Sequence, residues 1–136
     1  MIYRVDVDVR APVRDTEVED RVVRAVERLF PEAEVEVRDG EVVATAHSLD
    51  TVAERIREQR ILDTARSLFF SNRHGEGFAF DLKKQAAFKG VVNFSVGSEA
   101  ELGDVHVEVR VHDPGVDEFI DYLAPETDEE GRPVEG

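Results

Sequence analysis

The sequence predicts a single α+β domain, a largely antiparallel sheet with two main helices packed on one face and a short third helix near the C-terminus. Three observations predict it. Several segments alternate apolar and polar residues with the period of a half-buried strand, amphipathic helical patterns separate some of them, and the order β-α-β-β-α-β-β-β-α holds too few strand-helix-strand crossovers for a doubly wound fold. The 136 residues suit one domain, and 41% hydrophobic content is enough for a real core. The domain is expected over residues 1–124, with 125–136 as an acidic, flexible tail because it holds five acids and no aromatic residue.

The elements follow in order. Tyr3, Val5, Val7 and Val9 alternate with Arg4, Asp6, Asp8 and Arg10, giving a strand that ends at Ala11-Pro12. Thr16-Glu17-Val18-Glu19 has the form of a capping box, and Val18, Val22, Val26 and Leu29 make the apolar stripe of a helix that stops at Pro31. Asp39-Gly40, between Val35-Val37 and Val42-Ala46, is a hairpin signal because both turn residues tolerate positive φ. Thr51-Val52-Ala53-Glu54 opens a second, long helix expected to run through about Phe70. Glycines 75 and 77 mark a loop, after which Phe78, Phe80 and Leu82 read as one strand and Val92, Phe94 and Val96 as another. Val105 to Val111 alternate as a last strand, and Val116, Phe119, Ile120 and Leu123 fall at i, i+3, i+4 and i+7 of a terminal helix.

Charge divides the chain unevenly. It has 31 acids against 17 Lys and Arg, a formal net charge of −14, yet residues 55–90 alone carry eight of those basic residues with four acids. One positive island on a negative body marks where a polyanion or partner would bind. The chain's three lysines, Lys83, Lys84 and Lys89, all lie within that island. Such acidic, lysine-poor usage resembles proteins of salt-accumulating halophiles, where a Debye length of about 3 Å at molar salt screens self-repulsion. The absence of cysteine excludes disulfides and thiolate chemistry, and the N-terminal residues lack the apolar stretch of a signal peptide, so a cytoplasmic protein is expected.

The stretch Arg57-Glu58-Gln59-Arg60-Ile61-Leu62-Asp63-Thr64-Ala65-Arg66, followed by Phe80-Asp81-Leu82-Lys83-Lys84-Gln85-Ala86-Ala87-Phe88-Lys89-Gly90 and Val92-Asn93-Phe94, resembles a small archaeal family of predicted RNA-binding proteins. The likeness runs over about residues 2–124 and departs at Lys83, where the family pattern has Asn. It implies a fold like that of ribosomal large-subunit protein five and an RNA-binding role. The residues themselves are consistent with one, since arginine forks and lysines suit phosphate oxygens and amides suit base edges. Arg57, Gln59, Arg60, Arg66, Lys83, Lys84 and Gln85 are therefore the candidate RNA contacts, provided helix and hairpin bring them together. The competing reading makes the arginines ordinary surface ion pairs with Glu58 and Asp63. Phe69, Phe78 and Phe80 share apolar faces and belong to the core by spacing, which leaves Phe70 and Phe88 as the freer aromatic residues.

Other chemistries fare worse. His106 and His112 lie six residues apart on one strand, about 20 Å, so they cannot share a metal ion within it. No Walker-type loop or nucleophile elbow occurs, and Ser48 beside His47 and Asp50 reads as a helix start rather than a triad. The expected protein is thus a non-catalytic RNA-binding module without cofactor or metal and without a membrane span, its partner a structured or single-stranded RNA. The alternative is a protein-protein adaptor or homodimer that buries an exposed strand edge or the terminal helix, Val116 to Leu123, against a partner.

Overall fold

A computed structural model describes residues 3–96 and 103–134. Six antiparallel strands form one open sheet in the order β2-β3-β1-β6-β5-β4, where β1 is Arg4–Pro12, β2 Glu34–Arg38, β3 Glu41–Ala46, β4 Arg73–His74, β5 Gly77–Lys83 and β6 Asp104–Asp113. Among the described residues five helices complete it: α1 Glu19–Leu29, α2 Asp50–Glu58, α3 Leu62–Ser71, α4 Lys84–Ala87 and α5 Val116–Leu123. The expected α+β architecture is the observed one. The alternating valines decide the register, with Val5, Val7 and Val9 of β1 facing Val111, Val109 and Val107 of β6, all at 5% exposure or less. Phe78, Phe80 and Leu82 of β5 extend the same apolar face against Val109, Val107 and Val105. The helices bury this face, while the residues between, among them Asp6, Asp8, His106 and Glu108, form a polar face left to solvent.

The Asp39-Gly40 turn adopts φ of 50° and 75°, the left-handed values a two-residue hairpin requires. Elsewhere the structure departs from the expected elements. The long helix is two, because Arg60 takes φ 59° and turns the chain between α2 and α3. The apolar periodicity ran on across the break, since Ile56 and Leu62 are both buried on either side of it. Val92, Phe94 and Val96 make no strand, only a bridge between Leu82 and Phe94, and both backbone groups of Val92 are taken by Gln59. Neither capping box is used: α1 opens after Val18 and α2 after Leu49, without side-chain caps.

The C-terminal region also differs. Phe119, Ile120 and Leu123 are 2%, 0% and 1% exposed, so the apolar face of α5 completes this core and is not offered to a partner. Phe119 packs against Phe78 and Tyr3, and Tyr3 stacks on Tyr122 with ring centroids 4.5 Å apart. In the segment expected to be a flexible tail, residues 126–134 fold back as a hydrogen-bonded turn. Thr127 donates to Asp63 at 2.6 Å and pairs with Pro133, and Arg66 reaches Glu126. No helix among the described residues is long and apolar enough to cross a membrane.

Candidate nucleic-acid interface

At the end of β5 the chain makes the single turn of α4, and Gly90, at φ 71°, sends it back along the strand. Helical spacing sorts the basic residues here. Lys84 and Ala87 turn inward and are buried, while Lys83, Gln85 and Lys89 turn outward. The returning segment is held from both sides. Lys83 N–H donates to the Asn93 carbonyl at 2.8 Å, and the Gln59 amide clasps Val92 by donating to its carbonyl at 2.7 Å and accepting from its N–H at 2.9 Å.

Facing α4 across a cleft of about 990 Å³ is the start of α1 with the loop before it. Thr16, Glu17, Val18 and Arg21 line one wall, and Lys83, Gln85, Phe88, Lys89, Val91 and Asn93 line the other. Gly103 closes one end at φ 80°, where a Cβ would lie 2.6 Å from Pro12 Cγ and 3.2 Å from Arg14 Nη2. Only glycine suits both that φ and that approach.

Beneath the cleft lies a buried ion pair. Lys84 Nζ donates to Glu17 Oε1 at 2.9 Å, with side-chain exposures of 1% and 6%, and also donates to the Pro12 carbonyl. Glu17 additionally accepts the Arg14 N–H at 2.9 Å. This pair explains the unused capping box: Glu17 is drawn inward to neutralise a lysine, and α1 starts beyond it.

Several predicted contacts are therefore reassigned. Lys84 cannot meet a phosphate, because its ammonium is enclosed and already satisfied by Glu17 and Pro12. Gln59 is a backbone clamp. Arg66 ties α3 to α5 through Asp121 at 2.6 Å and the Ala124 carbonyl at 3.1 Å, and stacks over Phe70 with Arg73 nearby. Arg57 is exposed on the α5 side, close enough for its charge to act on Tyr122, whose phenol is pushed up by burial and by Asp50. Arg60 is exposed at the α2–α3 junction. Among the described residues, neither α2 nor α3 contributes to the cleft lining, although Gln59, at the end of α2, holds Val92 beside it. Lys83 and Gln85 remain together, and the structure adds Arg21, Lys89 and Asn93 to them. Arg21 was missed because its signal, a basic residue on the polar side of an amphipathic helix, is common to many helices.

The polar sheet face carries a different network. His106 presents Nδ1 to Asp81 at 2.7 Å and Nε2 to Glu108 at 3.0 Å, and Glu108 also meets His74 at 3.3 Å. Burial pulls the His106 value down, but the hydrogen bonds to Glu108 and Asp81 outweigh it and leave the imidazole above its ordinary value. At the other end, Asp6 lies 3.1 Å from His47 and 2.6 Å from His112, and its carboxyl is held low chiefly by the His112 hydrogen bond. No group of three or more His, Cys, Asp or Glu among the described residues is arranged to hold a metal ion.

Fold and cleft together define a class: a small antiparallel α+β protein with a cationic cleft set into a strongly acidic body. Residues 6–112 match a family model described as RNA binding, and the chain belongs to that family. It is 41% identical over 131 residues to a UPF0200/UPF0201 protein of Archaeoglobus fulgidus, a match covering 96% of this chain but 40% of that longer relative. A UPF0201 protein of Methanopyrus kandleri is 39% identical over 136 residues, covering 90% of this chain and 85% of the relative. The crystal structure of a UPF0201 protein from Methanococcus jannaschii superposes with a TM-score of 0.88 at 29% identity, over 96% of this chain and 99% of the other.

Proposed function

We propose that the chain is a non-catalytic RNA-binding module whose contact surface is the cleft between α1 and α4. One observation carries this reading: a chain of net charge −14 sets two of its three lysines and an arginine, all exposed, along a single concavity. The description of the family adds support. Lys83, Lys89 and Arg21 supply the charge, and the amides of Gln85 and Asn93 supply hydrogen bonds. We read the module as non-catalytic because the carboxylate in the cleft wall, Glu17, is engaged by Lys84. We read it as working in a salt-rich cytoplasm, a reading that the acidic, lysine-poor composition supports.

Charge arithmetic is compatible with that medium. Three cationic contacts to single-stranded RNA give a log-log salt slope of about −2, so a tenfold rise in salt costs about two decades of affinity. Contacts that do not depend on counterion release must supply the remainder. The test is fluorescence anisotropy with a labelled RNA hairpin bearing a single-stranded tail. Lys83→Glu with Lys89→Glu should weaken binding about a hundredfold, on the order of one decade per charged contact, while Arg57→Glu leaves it nearly unchanged. Equal binding by wild type and the lysine double variant would remove the cleft from consideration.

A further inference from the structure

The geometry points to an unpaired nucleotide, a base turned out of any helix with its flanking phosphates, as what this cleft takes; the inference rests on the RNA-binding reading of the same site. Shape is the first argument. A concavity of about 990 Å³ has the dimensions of sites that enclose a small molecule. Duplex RNA is instead met across its wide minor groove by surfaces that contact sugars and phosphates, with its base faces stacked out of reach.

The chemistry of the walls is the second argument. Val18 and Val91 line the cleft at 59% and 39% exposure, two of the six large hydrophobic side chains exposed among the described residues, and Phe88 lies half-buried in the same wall. Such groups gain nothing from a phosphate. Next to an unstacked base they bury apolar area on both partners. Val18 is telling because helical spacing assigns it to the buried stripe of α1, yet the helix begins beyond it and leaves it facing the cleft.

Hydrogen bonding is the third. The side-chain amides of Gln85 and Asn93 are exposed in the lining and make no hydrogen bond among the described residues. Each offers a donor and an acceptor, which is what a base edge requires, whereas a phosphate accepts only. Arg21, Lys83 and Lys89 then meet the backbone on either side.

The experiment compares binding of labelled single-stranded oligouridylate, single-stranded oligoadenylate and the duplex annealed from the two, each over a salt series. Wild type should bind at least one single strand about tenfold or more tighter than the duplex, with a salt slope near −2. Val18→Ser and Val91→Ser, both at exposed positions, should each lose about tenfold for the single strand with an unchanged slope. Lys83→Glu should make the slope shallower by about 0.7. Duplex binding as tight as single-strand binding, or valine variants that bind like wild type, would overturn the unpaired-nucleotide assignment while the RNA-binding reading stood. Failure to bind any of the three would overturn both. Should one valine variant fail to fold, the strand comparison in wild type and the other valine decide the matter.

Discussion

Lys84 is one of the two lysines that sequence alone would place on the RNA, and its ion pair with Glu17 makes a sharp prediction to the contrary. With both side chains almost wholly enclosed, removing one partner leaves an uncompensated charge in a low-dielectric site. The Oε2 atom of Glu17 is already buried without a hydrogen-bond partner among the described residues, so the carboxylate depends on Lys84 for its neutralisation. Lys84→Met or Glu17→Leu should each cost about 3 to 5 kcal/mol, whereas the double variant, an apolar pair of similar volume, should recover most of that loss. With a urea slope of about 1.5 kcal/mol/M for a domain of this size, each single change lowers the unfolding midpoint by about 2 M or more. Urea denaturation followed by circular dichroism measures all four corners of the cycle. Single variants that each lose less than about 1 kcal/mol, with additive effects in the double, would mean that Lys84 is solvated and the reassignment mistaken.

Two further outcomes are expected. His106 has a raised folded-state value, so its contribution to stability is complete below the unfolded value of about 6.5 and is lost as pH rises through the folded one. The groups facing it are Asp81, Glu108 with its partner His74, and Arg10 opposite on β1; the stability advantage of wild type over His106→Gln should therefore shrink from acidic to alkaline buffer, and an advantage that grows instead would contradict the assignment. Separately, lowering KCl from molar to millimolar should lower the thermal midpoint, since the repulsion of a −14 chain is then unscreened; a flat or rising curve would remove the salt-adapted reading.

Much of the fold could be read from residue order because its signals are local. Period-two valines give β1 and β6, Asp39-Gly40 gives the β2–β3 hairpin, and the spacing from Val116 to Leu123 gives α5. What escaped depends on partners distant in the chain. Nothing near Arg60 announces a left-handed residue; Gly or Asn would have, and an arginine there accepts a backbone cost of about 1 kcal/mol. The alternation at Val92 to Val96 is real, but a strand needs a neighbour, and the backbone groups of Val92 are taken by Gln59, 33 residues away. Adjacent lysines look alike in sequence, and only the structure shows Lys84 sharing an inward face with Ala87, three residues on, while Lys83 turns outward. Half of the candidate site was thus legible as a cluster of positive charge, but its other wall, Val18 and Arg21, lies some 65 residues earlier and only folding joins it.

Photocrosslinking of the protein to RNA at molar KCl, followed by mass spectrometry of the linked peptides, tests the central claim most directly. Crosslinks should fall in two separate stretches, residues 16–21 and 83–93, which only the cleft brings together. Crosslinks confined to α2 and α3, around Arg57 and Arg66, would place RNA on the opposite account of this molecule and contradict the one given.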